Sequence, residues 1–353
     1  MSAVDVTAVL VAWNAGDSLV ACATSLRAAA DRAGARLQLV IVDNASDDDA
    51  VDRVGIGEGD VRVRNAVNGG YGLAASQGLE LAAAPWVLLA NPDLVVSPTF
   101  FVHLLEAARN VPANVATLVP EMRYAARPEL VNCRGVTMDE IGVPAEVDAG
   151  RPTDAVDLDH EPLGGSSGCC LLRLDSVRRI GGLEPAYFAY LEDVDLAVRL
   201  ARAGNGARLV AEAIAWHQGS ASAGPVSPLK TYLVARNRRV LFRLEAPRGV
   251  RSRVARLPVE LGHGVVSSRL SARAAPWRGR FDALRLRTYT TFIRAARAAH
   301  DDRSTPPRLT RRATLRSTLW RKRTITDVTL HGGGAAPEEV RTNGRVTTVR
   351  RSD

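Results

Sequence analysis

A chain of 353 residues, 46% hydrophobic and 24% charged, has apolar material for one large domain with an extension, or for two domains. It holds no run of about 18 uncharged apolar residues, which excludes a helix spanning a bilayer, and its first residues lack the basic-then-apolar order of a signal peptide. The net charge of +8 is unevenly divided: residues 1–235 carry 18 basic and 29 acidic side chains, whereas residues 236–323 carry 24 basic and 5 acidic. An acidic body with an arginine-rich extension points to a polyanionic partner. Cys22, Cys133, Cys169 and Cys170 show no metal-type spacing, so they read as small buried residues in a reducing cytoplasm.

In chain order, Val6-Thr-Ala-Val-Leu-Val-Ala-Trp13 is apolar on both faces, as in a buried parallel strand. Ser18 to Arg32 follows as a helix with a stripe at Leu19, Cys22, Ala23 and Leu26. Leu37–Val42 is a second strand, ending at Asp43-Asn-Ala-Ser-Asp47. Val61–Arg64 is a third, leading into Asn68-Gly-Gly-Tyr-Gly72 and a helix over 73–84. Pro85–Ala90 is a fourth, stopping at Asn91-Pro-Asp93. Alternating strands and helices, with polar residues at each strand's carboxyl end, predict a doubly wound, Rossmann-like mixed α/β sheet. Ligands bind at those carboxyl ends.

Further on, a helix is expected over 98–110 and a strand at Val115–Val119. Residues 120–163 break into short apolar runs and read as an insertion over the cleft, with hairpin material at 131–135 and 142–143. Gly164 to Arg173 is a small-residue approach to a strand. Ala207–Val210 and Ala213–His217 return to the sheet as two pieces, and Thr231–Leu244 is a basic helix. Between them, Tyr187-Phe-Ala-Tyr-Leu-Glu-Asp-Val-Asp-Leu196 places three carboxylates at a helix start. The helix dipole favours an acidic group there, which accounts for any one of the three. It does not account for the aromatic lead-in.

Taken together, these motifs resemble inverting, GT-A fold glycosyltransferases of family 2, especially the bacterial rhamnosyltransferase-like branch. The matching pieces are Trp13-Asn14, Asp43-Asn44, Asn68 to Gly72, Asn91-Pro-Asp93, Gly164 to Gly168, Tyr190 to Leu196, His217, and the pair Arg236-Asn237. The resemblance covers residues 4–245, two-thirds of the chain. It implies a GT-A domain over 1–245, with a nucleotide-binding half at about 1–97 and an acceptor half at about 98–245. Ser76 and Glu184 depart from the family's usual Asn and Asp.

The resemblance further implies a nucleotide-sugar donor held by Trp13, Asn14, Asp43, Asn44, Asn68, Gly70, Tyr71, Asn91 and Asp93. Asp43 can accept from the base or ribose, or cap the following turn with Ser46. Asp93 and His217 stand where the family holds a divalent metal, Mg²⁺ or Mn²⁺, which would offset charge on a leaving diphosphate. Asp193 is the expected catalytic base, with Glu192 in reserve. Inversion needs a carboxylate opposite the leaving group and within reach of the acceptor hydroxyl. Gly168, Tyr190 and Asp195 fall on the acceptor side, Asp195 as a cap or orienting group. Repulsion within the cluster should raise at least one carboxyl pKa.

Residues 246–323 predict an arginine-rich, mainly helical extension, in which Leu286, Tyr289, Phe292, Ile293 and Ala296 fall near helical spacing. It suits docking on an anionic membrane, placing the protein peripherally on the inner face of the plasma membrane. No zinc, RNP-like or helix-turn-helix signature favours nucleic acid. Residues 324–353 read as a loose tail. The leading expectation is transfer of L-rhamnose from dTDP-rhamnose to a lipid-linked or cell-envelope glycan. A UDP-sugar, a soluble acceptor, or a silent carbohydrate- or membrane-binding module are the alternatives.

Overall fold

The seven residues of β1 (Val6–Ala12) are all buried, and their alternation feeds two cores. Val6, Ala8, Leu10 and Ala12 face one side of the sheet, Val9 and Val11 the other. The computed structural model describes residues 4–139, 142–154, 161–218 and 228–244, scattered positions at 254–261, and three short strands between 328 and 349. β1 pairs in parallel with β2 (Leu37–Asp43), and β2 with β3 (Val61–Asn65). On its other side β1 pairs in parallel with β4 (Trp86–Ala90). The crossovers carry α1 (Asp17–Arg32), the short α2 (Ala50–Arg53) and α3 (Tyr71–Glu80). Gly78 lets α3 lie against β1, because a Cβ there would sit 2.3 Å from Val9 Cγ1.

After β5 (Leu94–Val96) and α4 (Phe100–Asn110), β6 (Val115–Tyr124) opens the second half. β7 (Arg127–Cys133) folds back on β6, and β8 (Val136–Met138) makes a hairpin with β9 (Pro144–Glu146). This insertion is pinned by an ion pair between Arg134 and Glu121, each 2% exposed at the side chain. Removing one partner of such a pair costs about 3–5 kcal/mol, because the other is left buried and charged.

β10 (Cys169–Arg173) then runs antiparallel between β4 and β6, followed by α5 (Leu174–Arg179) and α6 (Glu192–Arg202). The two predicted pieces near 207–217 are one strand, β11 (Gly206–His217), whose register shifts between Val210 and Ile214. That bulge interrupts the pattern without ending the strand. β11 pairs with β6 and, antiparallel, with β5, and α7 (Pro228–Leu244) packs on α6 and the 3-10 turn at Pro185–Tyr187. The result is the expected mixed sheet, parallel around β1 and antiparallel where β10 enters.

β12 (Val328–His331), β13 (Glu338–Thr342) and β14 (Arg345–Val349) stand where composition suggested a loose tail. β12 adds antiparallel to β3, and β13 pairs with β14. Their β-branched Val and Thr residues favour extended backbone over the disorder that Gly and charge suggested. The expected arginine-rich helical extension lies outside the described residues, except for a few helical positions between 254 and 261.

Candidate active site

At the carboxyl ends of β2 and β3, the loops close on one another through short polar side chains. Asn44 Nδ2 donates to Asn68 Oδ1 at 2.8 Å, and Asn44 Oδ1 accepts from the Gly69 amide at 3.1 Å. Asn65 and Gln77 bond each other reciprocally behind them, at 2.9 and 3.0 Å. The loop reaches α3 through Gly70, whose φ is 88° and whose added Cβ would meet the Phe188 carbonyl oxygen at 2.5 Å. Only glycine fits such a position. Tyr71 at the start of α3 donates its hydroxyl to the Ser167 carbonyl at 2.8 Å, which ties the β3 loop to the approach to β10.

The acidic end begins with a backbone under strain. Phe188, with φ 65° and ψ −67°, is the centre of a γ-turn closed by the Ala189 amide on the Tyr187 carbonyl at 2.8 Å. Tyr190 (φ 70°) and Leu191 (φ 68°) are also left-handed. Each such residue costs about 1–3 kcal/mol, and the surrounding structure must hold it. α6 starts immediately afterwards with Glu192 and Asp193. The Asp193 carboxylate accepts from the Ser167 amide at 3.2 Å and from the Val194 amide at 2.8 Å. Burial raises its pKa, and those amides oppose the rise. Glu192 is 4% exposed and its Oε2 has no hydrogen-bond partner. Burial, with the neighbouring Asp193 charge, pushes it up to about 8. Glu192 is therefore the member of the pair that holds a proton near neutrality, while the two amides favour the charged form of Asp193.

Across the cavity, β4 ends at Asn91-Pro92-Asp93 and β11 ends at His217. His217 Nε2 lies 3.2 Å from Asp93 Oδ1, at an angle that makes no hydrogen bond. Its Nδ1 is 3.0 Å from Asn132 Oδ1 on β7. An amide oxygen can only accept, so Nδ1 carries a proton, and in the neutral ring that leaves the Nε2 lone pair on the side of Asp93. Two electron-rich atoms facing each other is a donor set suited to a cation. Asp93 and His217 thus fit the divalent metal expected there. Among the described residues no cluster of three or more His, Cys, Asp or Glu side chains could hold a metal alone.

These groups line one cavity of about 700 Å³. From the donor side it is lined by Trp13, Asn44, Asn68, Gly70 and Tyr71, with Asn91 and Asp93 at its floor. Gly168, Tyr190, Glu192, Asp193 and His217 complete the set that the sequence singled out. Three predicted residues lie elsewhere. Asp43 accepts from the Ser46 amide at 2.9 Å, and Asn14 accepts from the Asp47 amide at 2.7 Å, so both hold the turn after β2 instead of facing the cavity. Asp195 is fully buried, accepting from Tyr187 Oη at 3.2 Å and Arg199 Nε at 2.8 Å. Two residues beyond Asp193 on a helix means a turn of about 200°, which points it into the core.

Other lining residues escaped the sequence reading. Glu146 on the β8–β9 hairpin faces the cavity, its pKa raised by desolvation and by the Asp193 charge. Lys230 on α7 stacks its ammonium 5.5 Å from the Tyr190 ring centroid. Ser167 and Asn132 were equally invisible, since their partners are distant in sequence.

A chain with this cavity compares with known proteins as follows. N-acetylglucosaminyl-diphospho-decaprenol L-rhamnosyltransferase of two Mycobacterium tuberculosis strains is 28% identical over 249 residues, covering 64% of this chain and 80% of the relative. Among solved structures, GalNAc-T7 with UDP, GalNAc and Mn²⁺ superposes with a TM-score of 0.49 at 11% identity, covering 69% of this chain and 48% of that one. The Pyrobaculum calidifontis mannosyltransferase with GDP-Man and Mn²⁺ superposes at 0.47 and 12% identity, covering 91% and 85%. The family model described as glycosyltransferase like family 2 matches residues 4–241, which spans both sides of the cavity, and the chain belongs to that family.

Proposed function

We propose that the cavity binds a nucleotide-sugar and an acceptor hydroxyl together, and that Asp193 is the base of an inverting transfer. The observation that carries this reading is the placement of the Glu192–Asp193 pair and the Asp93–His217 pair in one cavity. Trp13, Asn44, Asn68 and Tyr71 face the nucleotide. Asp93 and His217 would hold Mg²⁺ or Mn²⁺, which supplies positive charge beside the leaving diphosphate. The acceptor oxygen forms its bond to the anomeric carbon as the bond to the diphosphate oxygen breaks. Its proton passes to the Asp193 carboxylate, and the nucleoside diphosphate leaves with the bonding pair. Glu192, holding its proton, leaves Asp193 as the charged member of the pair.

The relative's name supports L-rhamnose as the sugar and a diphospho-lipid-linked sugar as the acceptor, and the resemblance to the rhamnosyltransferase-like branch supports a dTDP donor. The basic extension supports work at the inner face of the plasma membrane, as a peripheral protein. No described helix is long and apolar enough to cross a membrane. Thermal-shift screening of dTDP-, UDP- and GDP-sugars with Mg²⁺ or Mn²⁺ tests the donor. A dTDP-sugar at about 100 times its Kd should stabilise the native state by about 2.7 kcal/mol. Stabilisation by UDP- or GDP-sugars alone would overturn the dTDP assignment. Asp193→Asn should abolish transfer while nucleotide binding persists; undiminished turnover would remove Asp193 as the base.

A further inference from the structure

Five successive carbonyls, from Ala186 to Tyr190, lead into the acidic pair, and besides the γ-turn bond from Ala189 to Tyr187 each is held by a donor from outside the segment. Gly72 N–H donates to the Phe188 oxygen at 3.2 Å. The other four are held by two neighbours on α7. Arg236 donates to the Ala186 oxygen. Asn237 Nδ2 donates to the Tyr187, Ala189 and Tyr190 oxygens at 2.8, 2.7 and 2.8 Å. Two amide hydrogens reach three acceptors, so at least one bond is shared. Asn237 is fully buried and does not line the cavity.

We infer that Asn237 is a positioning residue for the transfer, acting as a clamp that holds the strained 187–191 turn and thereby sets where Glu192 and Asp193 point. The inference rests on the role proposed above for Asp193. The clamp grips the carbonyls on both sides of the γ-turn, and Tyr190 and Leu191 stay left-handed until α6 begins. Without it the turn can relax toward ordinary backbone angles, and the first residues of α6 move with it. An asparagine suits the task because one short planar amide presents two donors in a fixed direction. Glutamine would place the same amide one methylene further out, and aspartate would present oxygens to oxygens.

The test uses full-length protein and the variants Asn237→Asp and Asn237→Ser, the second retaining a small polar side chain in case the first does not fold. Hydrogen exchange should quicken at residues 186–195 in either variant while β1 to β4 stay protected. Turnover of dTDP-L-rhamnose with N-acetylglucosaminyl-diphospho-decaprenol and Mg²⁺ should fall through kcat by up to about 10²-fold, as expected for a displacement near 1 Å, with the donor KM little changed. Adding Leu191→Gly, which makes the left-handed conformation free of side-chain cost, should restore part of the loss.

Unchanged exchange at 186–195 in a folded variant would overturn the clamp. Faster exchange with full kcat would overturn its bearing on catalysis, as would equal losses in donor affinity and kcat. If wild-type protein does not turn over this substrate pair, the donor and acceptor assignment fails instead, and exchange alone decides the clamp.

Discussion

His217 Nε2 faces Asp93 Oδ1 at 3.2 Å without a hydrogen bond, while Asn132 Oδ1 occupies the other ring nitrogen at 3.0 Å. When the ring is neutral, Asn132 thus holds the proton on Nδ1 and leaves the Nε2 lone pair for a cation shared with Asp93. Removing an orienting partner of a metal-bound histidine weakens metal binding by about 10–100-fold. Asn132→Ala should therefore raise the Mn²⁺ requirement by that factor, measured by isothermal titration with nucleotide present. His217→Ala should raise it further. Equal Mn²⁺ affinity in wild type and both variants would argue against this pair as the metal ligands.

Glu192 supplies a pH signature. Its native pKa of about 8 stands above the ordinary value of 4.5, so between those limits the folded state binds a proton that the unfolded chain releases. The associated stability is complete below about pH 4.5 and is lost as pH rises through 8. Calorimetric melts should show Tm falling from pH 6 to pH 9, and a smaller fall in Glu192→Gln. Identical slopes would place the titration elsewhere.

Gly70 and Gly59 share a left-handed backbone, φ 88° and 84°, yet differ in their surroundings. A Cβ at Gly59 meets nothing within 4 Å, whereas at Gly70 it would strike the Phe188 carbonyl. Gly59→Ala should cost about 1 kcal/mol from backbone conformation alone. Gly70→Ala should cost more and also lower turnover, since Phe188 belongs to the turn that leads to Asp193. Urea unfolding and initial rates on the same preparations separate the two effects. Equal costs would mean that the turn yields freely.

The arginine-rich extension predicts salt-sensitive adhesion. Full-length protein should co-sediment with vesicles containing phosphatidylglycerol and be released near 1 M salt, where the Debye length shrinks to about 3 Å. Each basic side chain near such a surface is worth about 1 kcal/mol. A chain truncated after residue 262 keeps Glu260 against Arg238, a buried ion pair at 3.0 Å, and should remain in the supernatant. Equal pelleting of the truncated chain would assign membrane contact to the globular domain.

The strand and helix order was readable because buried parallel strands are apolar on both faces and end in Asn, Asp or Gly. That Asp93–His217 and Glu192–Asp193 share one cavity was expected for a different reason: the order of the motifs resembles the family's, and each pair sits at the end of an element. Pairings across long separations were not readable. Asn132 is 85 residues from His217, and Asn237 is 50 from Tyr187, so no local pattern connects them. Glu146 fell in the interrupted 120–163 segment, where no period organises the apolar residues. Asp195, expected on the acceptor side as a cap or orienting group, lies two positions beyond Asp193 on the opposite side of α6, where it holds Tyr187 and Arg199.

β10 belongs by chain order to the second half of the sheet, yet it lies beside β4 of the first. The Asn91 amide donates to the Gly168 carbonyl at 2.8 Å, just outside that ladder. The two halves are therefore stitched edge to edge and cannot swing apart like jaws without unzipping a central seam.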